Sequence, residues 1–580
     1  MRKIHFAAIA ALLLFAAHTP ANAAFKFEKN DTVCLIGNSL PDRMQHDGWF
    51  EAVLQSELKG LNVSFRNLGF TGDTVNNRPR NSGFPKPEDY LKICGADVIF
   101  VFFGYNESFS GEKGIEGFMK NLSAMIDNYS KLKPNGKSAP RFVLFSPIAH
   151  EDLKSPNLPD GKANNKNLEQ YTKAIKDVAA NKEASFVDLF TPTKAVYAKS
   201  QKALTINGVH LNAFGNGHLA VIAAKALLGK SPKALNDLEK LRTSVLDKNW
   251  HWFNRYRATD GNDVWGGRSG LRFVDGQSNA DVLRHELKML DVMTANRDPK
   301  IWAAALGSNF KVDDSNVPKP VAVKSNIGGK SRSSNAQKEG NAKYLSPEET
   351  LKKLRVPDGF KLNVFASEAM FPEMVNPVQM SVDTKGRLWV AAWKTYPKWE
   401  PLKEMEDRLL ILPDENRDGV ADKVITFAKV HNPTGFEFWN GGVLVGSAPN
   451  IVFLKDTDGD DVADVRINML GGIDSADTHH AMNNFQYGPD GGLYYQRGVF
   501  HVSNIETPWT APRKDGASAM YRFNPRTYTF TLHAGNSPNP HGITFDRWGY
   551  HYATDGTGGR SYQVVPNGNG FKMRGLLRKE

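Results

Sequence analysis

Two cysteines in 580 residues are too few for a disulfide-built fold. Cys34 and Cys94 each open an apolar run and read as packed thiols, with a bridge between them left open. No C-x-x-C-H occurs, which excludes an attached c-type haem. The net charge of +11 is spread along the chain without a compact run of Lys and Arg, so no nucleic-acid partner is expected. Beyond the N-terminal stretch no apolar run is long enough to cross a bilayer, so no transmembrane segment is expected after signal cleavage. What is present is ordinary for globular protein, 41% hydrophobic and 23% charged residues in a chain long enough for two or three domains.

Residues 1–23 stand apart. Arg2 and Lys3 form a basic start, Phe6 to Ala17 an apolar stretch, and Ala21-Asn22-Ala23 a small-residue cleavage pattern. That order predicts a signal peptide, a mature start at Ala24 and a periplasmic or extracellular address.

The next stretch, Asp31 to Leu40, organises the following two hundred residues. The apolar run Val33 to Ile36 stops at Gly37 and delivers Asn38 and Ser39, which predicts a buried strand with a serine at its carboxyl end. A serine there also suits a helix N-cap, so the motif alone leaves both roles open. Helix-like Trp49 to Leu58 leads to a strand at Asn62 to Leu68 and a turn of small residues, Gly69 to Thr74. Asp97 to Phe103 is almost wholly apolar, as a strand covered on both faces should be, and ends in Gly104-Tyr105-Asn106-Glu107. Strands at Phe142 to Phe145 and Ser185 to Leu189 bracket a helix over about 168–181. The alternation predicts an α/β domain with a parallel sheet. Asn207-Gly208-Val209-His210-Leu211 then precedes an apolar helix from His218 to Leu228.

These four blocks resemble the SGNH or GDSL-type esterases, whose fold is a three-layer α/β sandwich. The resemblance covers residues 24–229 and implies that Ser39 is the nucleophile and His210 the base that activates it. It further implies that Gly72, through its N–H, and Asn106, through its amide, join the Ser39 N–H as oxyanion-hole donors. The residue types suit the chemistry, because a serine hydroxyl attacks only once an imidazole accepts its proton and the oxyanion needs donors fixed in advance. No cofactor is required for such hydrolysis. The chain departs from the pattern at Asn207, where the family usually carries an aspartate. The expectation is that the Asn207 carbonyl accepts the imidazole N–H in its place. A slow enzyme, a Ser-His dyad and an inactive binding domain stay open.

Residues 230–305 read as a helical extension of two charged helices separated by the aromatic stretch Trp250 to Tyr256, expected to pack rather than to stack on sugar. Residues 306–343 are poor in aromatics and rich in Gly, Ser, Asn, Lys and Pro, which predicts a flexible linker. Ser346-Pro347-Glu348-Glu349 is a capping box that opens the next domain.

Residues 344–580 change class. Strand–turn–strand patterns recur at Met380 to Val390, Phe436 to Val445, Phe485 to Tyr495 and Ile543 to Tyr552, about 50 residues apart, which predicts a β-propeller. The ring reads as incomplete, and the ending at Leu577-Arg578-Lys579-Glu580 reads as a truncated frame or a deliberately shortened product. Tyr344 to Glu349, Gly488 to Tyr494 and Asn539 to Ile543 resemble the propeller of membrane-bound dehydrogenases in planctomycete and verrucomicrobial multidomain proteins. That resemblance implies a sugar-dehydrogenase-like module, a quinone cofactor, and a haem-bearing cytochrome domain or other electron-transfer partner, none of which a motif in this chain marks. Two loops place oxygen ligands at alternate positions, Asp414, Asn416, Asp418 and Asp422, then Asp456, Asp458, Asp460 and Asp464, which predicts structural calcium. His479, His480, His533 and His541 are read in propeller loops, as struts or as a site.

The leading expectation is an exported ester hydrolase acting on acyl or acetyl esters of carbohydrates, fused to a propeller. The alternatives are a weak or inactive carbohydrate-binding protein, and a propeller sugar dehydrogenase with an accessory esterase-like domain.

Overall fold

A computed structural model describes residues 24–274, 276–323, 345–516, 518–535, 539–556, 560–565 and 578–579. The stretch expected to be a signal peptide and most of the expected linker lie outside the described residues.

The N-terminal domain is built on five parallel strands, β1 (Thr32–Gly37), β2 (Ser64–Asn67), β3 (Val98–Phe102), β4 (Arg141–Phe145) and β5 (Ser185–Val187), in the spatial order β2-β1-β3-β4-β5. Every residue of β3 is buried, because helices cover both faces. Phe50, Leu54, Leu219 and Ala223 pack one face, and Leu122, Ile126, Ile175 and Val178 the other. From β1 the chain runs to β2 on one side and returns to β3 on the other. The crevice at the carboxyl ends of β1 and β3 is therefore the switch point where ligands bind in open α/β sheets. Helices Ser39–Asp47 and Tyr105–Ser108 both start there.

The extension consists chiefly of two long helices, Glu239–Arg257 and Asn279–Ala305. The aromatic stretch is not a separator, as the sequence suggested, but the second half of the first helix, packed against the β2 edge. Trp252 Nε1 donates to the Asn67 carbonyl at 2.7 Å and Tyr256 Oη to the Leu68 carbonyl at 3.0 Å. Lys248 is buried beside them and donates to Glu51 Oε2 at 2.6 Å and to the Phe65 carbonyl at 3.0 Å. Lys248→Met should cost about 3–5 kcal/mol in denaturant unfolding, since it strands a buried carboxylate. Adding Glu51→Gln should recover most of that loss.

Among the described residues the C-terminal region holds four four-stranded antiparallel sheets arranged as propeller blades. Their first strands, Pro377–Val382, Pro433–Trp439, Asn483–Tyr487 and Pro540–Phe545, pack on one another in succession. The turn expected in each repeat joins the first strand of a blade to its second. Asp383 Oδ1 accepts the N–H groups of Lys385 and Arg387 at 2.9 Å, and Asp546 Oδ1 those of Trp548 and Tyr550 at the same distance, the aspartate-turn chemistry that makes the repeat legible. The third blade carries an excursion between its second strand, Leu493–Arg497, and its third, Ala519–Asn524. There the chain forms a small hairpin, Ser503–Ile505 with Arg513–Asp515, that lies over the crevice of the α/β domain.

Candidate functional site

Ser39 is the first residue of a helix whose N-cap, Asn38, accepts the Leu40 N–H through its side chain at 3.2 Å. The Ser39 N–H has no intrahelical partner and points into the crevice. The turn that holds Gly72 is tied to the same helix, because Asp42 Oδ2 accepts from Thr71 N at 3.0 Å and Thr71 Oγ1 at 2.6 Å while pairing with Arg257. Gly72 has φ +76°, and a Cβ there would stand 2.8 Å from Asn504 Cβ of the propeller hairpin, so both backbone and neighbour demand glycine. Glu107 joins this turn to the next, accepting the Gly104 N–H at 2.9 Å and the Val75 N–H at 2.8 Å. Asn106, between them, donates to the Asp73 carbonyl at 2.9 Å. Three elements are thus fixed relative to one another.

The three expected donors converge on one atom. Ser39 N at 3.4 Å, Gly72 N at 3.3 Å and Asn106 Nδ2 at 2.9 Å all donate to Glu506 Oε2. Glu506 belongs to the propeller excursion and lies 467 residues beyond Ser39. Its other oxygen, Oε1, is 3.2 Å from His210 Nε2. Ser39, Asn106, His210 and Glu506 are each no more than 4% exposed. Among the described residues the Ser39 hydroxyl has no hydrogen-bond partner. A cavity of about 30 Å3 beside them, lined by Leu40, Arg43, Phe103 and Ile148, is room for about one water.

Asn207 is fully buried and sits beside His210 as expected, but its amide is turned the other way. Its Oδ1 accepts the N–H groups of His210 at 3.0 Å and Val209 at 3.3 Å, leaving Nδ2 to face His210 Nδ1 at 3.0 Å. Turning the amide over would set its N–H donors against two backbone N–H donors. The orientation gives Nδ1 a donor to accept from, so the ring proton sits on Nε2 and is donated to Glu506 Oε1. Burial pushes the His210 pKa down to about 4, so the ring is neutral at neutral pH. Burial opposes charge on Glu506 as well, but His210 and the Asn106 amide together hold its carboxyl below the usual range.

The loop that carries Glu506 is pinned around the crevice. Tyr105 Oη donates to the Thr507 carbonyl at 3.0 Å, Asn504 Nδ2 to the Pro79 carbonyl at 3.3 Å, and Lys514 Nζ to the Asn77 carbonyl. Glu506 has no motif around it, since Asn504-Ile505-Glu506-Thr507-Pro508 reads as a polar loop, and only the tertiary arrangement reveals it.

In the propeller, Asp456, Asp458 and Asp464 bring carboxylate oxygens within 4.8 Å of one another. Asp460 Oδ1 accepts the Val462 N–H at 2.8 Å. Asp461, where glycine is usual in calcium loops, pairs with Arg387 at 2.8 Å. The first loop is spent on its own backbone: Asp414 accepts from Asp418 N and Gly419 N, and Asp422 from Glu415 N. Among the described residues its carboxylates do not gather to one point. The four histidines do not converge. His479 and His480 lie against Asp477, while His533 and His541 are on strands rather than in loops, and His533 faces His551 at 2.9 Å. Cys34 and Cys94 are free thiols. Among the described residues no helix is long and apolar enough to cross a membrane.

No curated protein matches the chain. Solved structures similar to it include a gut microbial diltiazem-metabolizing enzyme, 18% identical, covering 36% of this chain and 49% of that one at a TM-score of 0.29. A catalytic mutant of Axe2, an acetylxylan esterase from Geobacillus stearothermophilus, is 16% identical and covers 35% of this chain and 96% of that one at 0.27. The acetyl xylan esterase AlAXEase is 21% identical over 34% of this chain and 99% of that one, also at 0.27. The chain thus spans about half the length of the first of these and nearly all of the other two. Residues 346–574 match a family described only as a domain of unknown function, DUF7133. Residues 35–217, which carry Ser39, Gly72, Asn106 and His210, match the GDSL-like Lipase/Acylhydrolase family.

Proposed function

We propose that residues 24–229 are an exported acyl-ester hydrolase centre, acting on acetyl or other short acyl esters of carbohydrates. The observation that carries this reading is the convergence of the Ser39 N–H, the Gly72 N–H and the Asn106 amide on a single oxygen. Three N–H groups fixed by separate elements and aimed at one point are what the oxyanion of an acyl-transfer intermediate requires. In this reading Ser39 Oγ attacks the ester carbonyl, His210 Nε2 takes the hydroxyl proton and returns it to the leaving alcohol, and water repeats the sequence on the acyl-enzyme. The match of residues 35–217 to GDSL-like lipases and acylhydrolases supports the ester-hydrolase class, and the carbohydrate ester and exported address extend the expectation drawn from the sequence.

The closed state is not the working one. Glu506 fills the oxyanion position, and His210 holds a proton on the nitrogen that must accept one. The test therefore uses a full chain carrying Glu506→Ala and Asn207→Asp, assayed on p-nitrophenyl acetate and on acetylated xylooligosaccharide. Hydrolysis by this chain should vanish with Ser39→Ala. Equal rates with and without the Ser39 hydroxyl, in folded protein, overturn the reading. A non-catalytic binding role is favoured by the orientation of the Asn207 amide alone, and that same result would select it.

Calcium at Asp456, Asp458 and Asp464 is part of the proposal, since the exposed carboxylates repel one another and Asp460 pushes the Asp458 pKa up. Chelation should lower the melting temperature of the transition of residues 344–580, followed in the full chain, by roughly 5–10 °C, as expected for loss of an ion present at about a hundredfold over its Kd. An unchanged melting curve would leave these loops as hairpin turns.

A further inference from the structure

We infer that the pocket over Ser39 is a carboxylate-binding site and that Glu506 is its ligand in this chain, a tethered copy of the acid that ester hydrolysis releases. The inference borrows the hydrolase reading for the word product, but the binding itself needs no turnover.

Both carboxylate oxygens are satisfied, each in a different way. Oε2 accepts from Ser39 N, Gly72 N and Asn106 Nδ2, while Oε1 accepts from His210 Nε2. An ester carbonyl would use only the first position. A carboxylate uses both, because its second oxygen meets a ring N–H where a serine-activating histidine would present a lone pair. Asn207 sets this choice: its Oδ1 is held by two backbone N–H groups, so its Nδ2 must donate to His210 Nδ1. Asn207 and Glu506 are therefore matched to each other through the ring between them. An aspartate at 207 would draw the ring proton to Nδ1 and set a lone pair against the Glu506 carboxylate.

Among the described residues no Lys or Arg forms a direct salt bridge with Glu506. Oriented N–H dipoles, one of them at a helix N-terminus, hold the anion, as they do in backbone anion nests. The ligand is delivered by a hairpin whose neighbours make room for it: Gly72 has no side chain where Asn504 packs, and Tyr105, Pro79 and Asn77 bond the same excursion.

The test is a thermal-shift titration on the full chain. Alanine at 506 keeps Cβ and removes the atoms of an acetate ion. Glu506→Ala should melt below wild type, and sodium acetate should raise its melting temperature progressively against sodium chloride of equal ionic strength. Wild type should show no such acetate-specific rise, and Asn106→Ala added to Glu506→Ala should abolish it. Should Glu506→Ala not fold, Glu506→Gln serves in its place. Its amide keeps the side-chain shape but sets an N–H against the His210 Nε2–H, so acetate should displace it. An acetate response no larger than that to chloride, or one equal in wild type, overturns the inference. The titration reads binding alone, so a negative result leaves hydrolysis by the doubly substituted chain standing, and absence of hydrolysis leaves a positive titration standing.

Discussion

Asn207→Asp, compared in chains that both carry Glu506→Ala, is expected to raise kcat on p-nitrophenyl acetate by at least about tenfold, or about 1.4 kcal/mol of barrier. In the serine-protease triad the opposite change, carboxylate to amide, costs about four orders of magnitude because the histidine takes the wrong tautomer. Here the wrong tautomer is already in place. The Oδ1 of an aspartate at 207 would keep the His210 and Val209 N–H groups, and its Oδ2 would accept from Nδ1 where Nδ2 now donates. That swap moves the ring proton to Nδ1, frees Nε2 to take the Ser39 proton and stabilises the imidazolium that follows. The steady-state assay should show the gain in kcat and little change in KM. Equal or lower activity in the folded protein would mean that a group other than residue 207 governs the ring.

Removing the side-chain donor of the oxyanion site should move the rate as far in the other direction. Asn106→Ala in the same Asn207→Asp, Glu506→Ala chain is expected to cost about 100-fold to 1000-fold in kcat, or about 2.7–4 kcal/mol, the usual cost of one such donor. Asn106 also donates to the Asp73 carbonyl, so a purely structural effect is separated by its signature. Loss of a transition-state contact lowers kcat and kcat/KM together, whereas a displaced Gly72 turn would also disturb KM.

The α/β layer was legible because its strands are short apolar runs ending in small polar residues, and the chain marks each such ending once. The Val98–Phe102 strand is buried along its whole length, as the unbroken apolar run of a strand covered on both faces implies. The propeller was legible for a different reason, a strand–turn–strand unit whose turn ends in glycine in each blade and carries aspartate in the first, third and fourth. The boundaries of the extension were not. Trp250 to Tyr256 looks like an interruption in a charged pattern, yet Trp252 and Tyr256 belong to the buried face of one continuous helix. Ser39, Gly72, Asn106 and His210 could be placed from the chain, but the direction of the Asn207 amide could not. That direction depends on which backbone N–H groups close around the carbonyl. Glu506 was invisible for a deeper reason, since its meaning arises only when a loop of one domain meets the crevice of another.

The excursion that carries Glu506 leaves one strand of the third blade and returns to the next, so this carboxylate is anchored at both ends. A ligand tied in this way acts at an effective concentration of millimolar order or above, set by the loop rather than by the solution. A dissolved ester must outcompete that local supply, and a modest rise in substrate will not do so. Access to Ser39 is then governed by how often the whole hairpin lifts from Tyr105, Pro79 and Asn77. The turnover of the intact chain should follow the frequency of undocking more closely than the abundance of its substrate.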